Sequence, residues 1–181
     1  MADAEYDSVD QFMGTMQQLL VGGGAQEQDI VLPERLDRTR LDFSRESLHV
    51  LDDYLNEVHD SGDTAVGLSL LTTIWAAALY VGEIIRRTAP HRHFQWVTIS
   101  ETEASSTGAT TQQFSLGSLR ALRAQDGELC LPSRAVLRVI LRGRKARSLH
   151  SFARGAIEAT DSPEPPPGGS ASPSFSGAFA G

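Results

Sequence analysis

The longest apolar run in the chain lies between Thr64 and Arg87, TAVGLSLLTTIWAAALYVGEIIRR. It is hydrophobic nearly all round, so it belongs inside protein or inside lipid. Leu70, Leu71, Ala76, Ala77, Ala78 and Leu79 are good helix formers. Thr64 is placed to cap the helix, with Asp63 beside the positive end of its dipole. Arg86 and Arg87 fall in the last turn, and Pro90 follows. The pattern predicts a helix over 65–87 as the central element of the fold. The run is also long enough for a bilayer, which takes about 20 residues. Gly67, Ser69, Thr72, Thr73, Gly82 and the ionisable Glu83 make it less apolar than its length suggests. The amphipathic segments around it also need a core. A single membrane span through 65–85 is therefore the alternative reading, with Arg86 and Arg87 marking its cytoplasmic end.

Upstream, Val9, Phe12, Met13, Met16, Leu19 and Leu20 recur at helical spacing, capped by Asp7 or Ser8 and ended by Gly22-Gly23-Gly24. Ile30, Val31 and Leu32 read as a short extended piece in a polar linker. Leu48, Leu51, Leu55 and Val58 form the apolar face of a helix over 45–59. Ser44 is its expected cap, and Phe43 and Leu48 stand in the hydrophobic-staple positions. Downstream, the strand formers Phe94, Trp96, Val97 and Ile99 predict a strand over 94–100. The small polar stretch 101–111 reads as a hairpin loop, and 112–116 as a second strand; Leu119 and Leu122 either continue it or form a turn. Asp126-Gly127 marks a turn into a short strand over 128–131. Ser133 is expected to cap a helix whose face is Val136, Leu137, Ile140 and Leu141, up to Gly143. A short helix over 148–159 carries Leu149, Phe152 and Ile157.

These elements predict a single small α+β domain over 28–159. Its central helix packs on the helices 45–59 and 133–143, beside a short antiparallel sheet. Residues 1–27 form an N-terminal helix and Gly-rich hinge. Residues 160–181, DSPEPPPGGSASPSFSGAFAG after Thr160, are rich in Pro, Gly and Ser and are expected to be disordered.

Composition narrows the setting. Fifteen of the sixteen basic residues are Arg, a bias that suggests a GC-rich bacterial genome. The single Cys130 excludes an internal disulfide and fits a reducing compartment. The acidic start MADAEYDSVD shows no signal peptide, so the cytoplasm is expected. Charge is unevenly spread: residues 1–63 carry net −11 and residues 64–159 net +6, within a formal −7 for the chain. Two halves of opposite sign in one domain suggest that they neutralise each other.

Candidate chemistry is sparse. Glu83 reads as a carboxylate paired with Arg86 or Arg87 at i+3 and i+4; the sharper alternative is a buried catalytic acid with a raised pKa. His91 and His93 lie two apart, so on a strand both point one way, but nothing at ligand spacing completes a metal set. An enzyme of unknown reaction would use Glu83 with His91 and His93, and Glu101 if it converges on them. Cys130 has no adjacent base and reads as a small inward-facing residue. No metal or cofactor motif is present. Asp52, Asp53, Glu57 and Asp60 lie off the apolar face of their helix, with no calcium-loop spacing, and read as a solvated or partner-facing acidic strip. Arg134, Arg138 and Arg142 form a basic stripe at i, i+4, i+8, extended by Arg144, Lys145 and Arg147. Its preferred reading is pairing with the acidic helix or Glu83. An acidic protein partner comes next, and nucleic acid after that, because no aromatics are interleaved for stacking.

Taken together, LDFSRESLHVLDDYL, the helix ending ALYVGEIIRR, the Trp96 strand, the DG turn and the Pro-opened arginine-rich helix resemble an uncharacterised family of bacterial domains. The resemblance spans 41–157 and rests on Leu51-Asp52 in a serine-capped helix and Gly82-Glu83 near the end of another. The loop 101–111 and both ends depart from it. It implies a fold and no activity. The function expected is therefore a non-catalytic, cytoplasmic protein-interaction or accessory module, of which an immunity-type protein is one example. Asp52, Asp53, Glu57, Asp60, Arg134, Arg138 and Arg142 are its candidate partner-binding residues.

Overall fold

The computed structural model describes residues 20–21, 30–62, 67–99 and 119–159. Among them run the helices α1 (Ser47–Asp60), α2 (Leu68–Thr88), α3 (Pro132–Arg142) and α4 (Leu149–Glu158). Between α2 and α3 lie the strands β1 (Gln95–Ile99), β2 (Leu119–Arg123) and β3 (Leu129–Cys130), an antiparallel sheet in the order β1-β2-β3. The fold is the small α+β domain that the hydrophobic pattern predicts. The Thr64 cap, most of the first helix and its glycine hinge, the loop 101–111, the strand 112–116 and the tail 160–181 lie outside the described residues. Leu20 is helical and fully buried in the main core.

The central helix begins at Leu68, which is largely exposed, and is buried at most positions from Leu70 to Ile85. By length and composition it is apolar enough to cross a membrane, with mean hydropathy 1.7, and 72% of that stretch is buried inside the protein. Its closest helical neighbours are α3 and α4, and α1 packs on the same two helices. The apolar faces of α1 and α2 belong to the same core as these two helices, and a polar bridge also joins them. The Ser47 hydroxyl donates to the Ser44 carbonyl at 2.7 Å, so its contact with the Tyr80 hydroxyl, also 2.7 Å, has Tyr80 as the donor. Tyr80 in turn accepts from the Phe43 N–H at 3.0 Å. Each hydroxyl both gives and receives, which a buried polar pair requires.

Local expectations are met unevenly. The Ser44 hydroxyl accepts from the Ser47 N–H at 3.2 Å, but the helix starts at Ser47, two residues later than predicted, and its N-cap residue is Glu46, which makes no side-chain cap bond. Phe43 packs on the Tyr80 ring, with centroids 4.6 Å apart, and the Arg87 guanidinium lies over the Phe43 ring, 4.2 Å from its centre. Ile30–Leu32 is not an extended piece. Leu32 takes a left-handed conformation at φ 48°, and the Val31 N–H and carbonyl are bound by Thr73 and Tyr54 side chains. Ser133 does not cap α3. The helix starts one residue earlier, at Pro132, and the Ser133 hydroxyl is buried without a hydrogen-bond partner among the described residues.

The sheet meets α2 where the helix has no side chain. Trp96 and Leu122 pair across β1 and β2 and face Gly82. A Cβ on Gly82 would stand 2.3 Å from Trp96 Cζ2, so only glycine admits the indole at this depth.

Candidate functional site

Glu83 follows Gly82 and serves the same indole. Trp96 Nε1–H donates to Glu83 Oε1 at 3.1 Å. Arg86 adds a forked pair, Nε to Oε1 at 3.0 Å and Nη2 to Oε2 at 2.9 Å, and Arg87 Nε lies 3.4 Å from Oε2. Burial pushes the Glu83 pKa up, but the bonds from Arg86 and Trp96 and the two arginine charges outweigh it and hold the carboxyl below its ordinary value. This is an anchored carboxylate, so the raised-pKa acid weighed from the sequence is corrected.

His91 and His93 do not share a strand face. His91 lies in a 3-10 turn, Pro90–Arg92, and His93 ends that turn in a left-handed conformation. Both are exposed. His93 borders an open groove of about 550 Å³ with Gln95, Val97 and Arg123, and Glu83 does not line it. The three candidate catalytic residues therefore do not converge, and Glu101 lies outside the described residues. Between the two histidines lies Arg92, which no pattern in the chain singles out. Its side chain is 1% exposed and binds Glu128 at 2.6 Å, Asp126 at 3.1 Å and the Ala156 carbonyl at 2.7 Å. It ties the β2–β3 turn to α4.

The acidic strip on α1 divides. Asp53, Glu57 and Asp60 are exposed, and Glu57 lies 3.8 Å from Arg35. Asp52 is buried, against the solvated position expected for it. Its carboxylate accepts from the Leu149 N–H at 2.8 and 3.1 Å and from the His150 N–H at 3.4 Å, closing the first turn of α4. The Ser148 hydroxyl accepts from the Ser151 N–H at 3.2 Å and completes the cap. Burial raises the Asp52 pKa by more than these N–H groups lower it. His49 and His150 stack beside this cap, with ring centres 4.6 Å apart.

Asp52 thus answers the backbone of α4, not the arginine stripe. No ion pair among the described residues joins Arg134, Arg138 or Arg142 to α1 or to Glu83, so the preferred pairing of the stripe is also corrected. Arg134 and Arg138, one helical turn apart, instead line an open groove of about 250 Å³ between α3, β3 and α4. Arg147 lines it too, from the turn before α4, while Arg142 does not. Arg147 Nη2 donates to the Ser151 carbonyl at 2.6 Å and passes over Gly155, where a Cβ would stand 2.6 Å from it. The wall is otherwise mainly apolar, with Leu129, Cys130, Ala135, Phe152 and Ala156. The acid at its rim, Glu128, is held by Arg92. Burial, and then the like charge of Arg138, pull Arg134 below the ordinary guanidinium value. Burial pushes the Cys130 thiol up to about 12, so the sulfur in the wall is neutral and non-nucleophilic. The arrangement can bind an anion.

No family model, curated protein or solved structure matches this chain. The likeness seen in its sequence therefore rests on its motifs alone.

Proposed function

We propose that this protein is a non-catalytic binding module that engages an acidic partner protein through the groove of Arg134, Arg138 and Arg147. One observation carries the reading: three arginines border one concave surface, and none forms an ion pair among the described residues. Guanidinium groups crowded in this way repel one another, and an incoming carboxylate relieves that repulsion. The apolar wall adds contact area for the stem of an acidic side chain. The setting we propose is the bacterial cytoplasm, on the arginine bias and the single buried Cys130.

The test is fluorescence anisotropy of the full chain with a labelled glutamate-rich peptide. Binding should be lost in the Arg134→Glu, Arg138→Glu double variant and kept in Arg142→Glu, which changes the same helix outside the groove. No binding of the peptide, or equal binding by all three proteins, would refute the reading. Preferential binding of a single-stranded oligonucleotide would transfer the groove to nucleic acid.

A further inference from the structure

We propose that the anion taken by this groove is a phosphate monoester, carried on a side chain of the partner protein. The inference rests on the acidic-partner reading and names the chemical group within it. Charge comes first. A carboxylate brings one negative charge and two oxygens, enough for one guanidinium fork. A phosphate monoester carries about −1.5 to −2 at neutral pH and three terminal oxygens. Three arginines without an ion pair among the described residues, beside one acid, Glu128, that Arg92 already engages, match the second group and overmatch the first.

Geometry points the same way. Arg134 and Arg138 stand four residues apart on α3, about 6 Å along its axis, and both line the groove from that helix. Arg147 approaches from the α4 side. It is held there by the Ser151 carbonyl and by the space that Gly155 leaves open. An arginine placed in advance loses less entropy on binding than a free one. The volume, about 250 Å³, is several times the roughly 30 Å³ share of one water. It admits a phosphoryl group together with the side chain that bears it, and Leu129, Phe152 and Ala156 cover the carbon stem.

Gly155 supplies a variant that separates binding from folding. Alanine is the better helix former, and the atom its Cβ would meet is the far end of a flexible side chain. Gly155→Ala should therefore displace Arg147 while leaving α4 intact.

The experiment measures anisotropy of three labelled peptides on the full chain, alike except for a central glutamate, serine or phosphoserine. The phosphoserine peptide should bind about tenfold tighter than the glutamate peptide, the gain expected when a second charge engages a guanidinium. That advantage should shrink in Arg138→Gln and in Gly155→Ala, and persist in Arg142→Gln. Equal binding of the phosphoserine and glutamate peptides would overturn the phosphate inference and leave the acidic-partner reading standing. No binding of any peptide would overturn both. Adenosine 5′-monophosphate displacing the phosphopeptide at a lower concentration than free phosphoserine would overturn the protein-borne source of the phosphate.

Discussion

Asp52 and Glu83 are both carboxylates on helices, both nearly excluded from water, and they are satisfied in opposite ways. Glu83 is met by charge: two arginines from its own helix and an indole N–H hold it ionised. Asp52 is met by backbone: N–H groups at the start of α4 supply partial positive charge and no cation. The consequence is the direction of each pKa, lowered for Glu83 and raised for Asp52. The wider lesson concerns the arginines. Each buried acid found its partner elsewhere, so the stripe on α3 is left without a counter-charge inside the described fold.

The hardest way to break this comparison is to disturb Glu83 through its neighbour. Gly82→Ala places a methyl group inside the Trp96 ring and forces the indole away from the carboxylate. Overpacking of this kind costs about 3 kcal/mol, read as a drop in the urea midpoint together with a shift in Trp96 fluorescence. Asp52→Ala breaks the other side. It strips the N–H groups of Leu149 and His150 of their acceptor, at a cost of about 2 kcal/mol. Hydrogen exchange should then speed up in α4 before it does in α2.

The smallest effects sharpen the contrast by pH. Because the Asp52 pKa is raised, the folded state holds its proton more tightly than the unfolded chain does. That contribution to stability is present below the ordinary value of 3.8 and is lost as pH rises through the folded-state value. Glu83 runs the other way. Its contribution is present above the ordinary 4.5 and is lost as pH falls through its lowered value. Urea midpoints taken between about pH 3 and 6 should rise more steeply with pH in Asp52→Asn than in the native chain, and less steeply in Glu83→Gln. Identical slopes in the two variants would erase the distinction drawn between the acids.

Much of this fold was readable in the chain because it rests on periodicity. The apolar face of α1, the all-round burial of α2 and the strand at Trp96 are properties of spacing, and spacing is visible in letters. The pairing of Glu83 with Arg86 and Arg87 was readable too, since neighbours on one helix are fixed by i+3 and i+4. The partner of Asp52 was not. It is a pair of backbone N–H groups, which every non-proline residue owns, and position 149 reaches position 52 only through the whole fold. For the same reason Arg134 and Arg138 could be placed on a stripe but not in a groove. Arg147 entered the groove only through the turn at 143–148 and the absent side chain of Gly155. Arg92 carried no signal at all: its carboxylates sit on the hairpin turn that the DG pair announces, and nothing in the spacing joins them to it.

The Asp52 cap also sets an order of events during synthesis. The two groups it joins are 97 residues apart, so α1 leaves the ribosome long before α4 exists. Until then the carboxylate has only water to bind. The bond forms after a long loop has closed, which places it among the late and slow contacts of folding. A nascent chain stalled before residue 149 would carry α1 with a solvated aspartate on a face shaped for burial, and so the completion of α1 waits for α4.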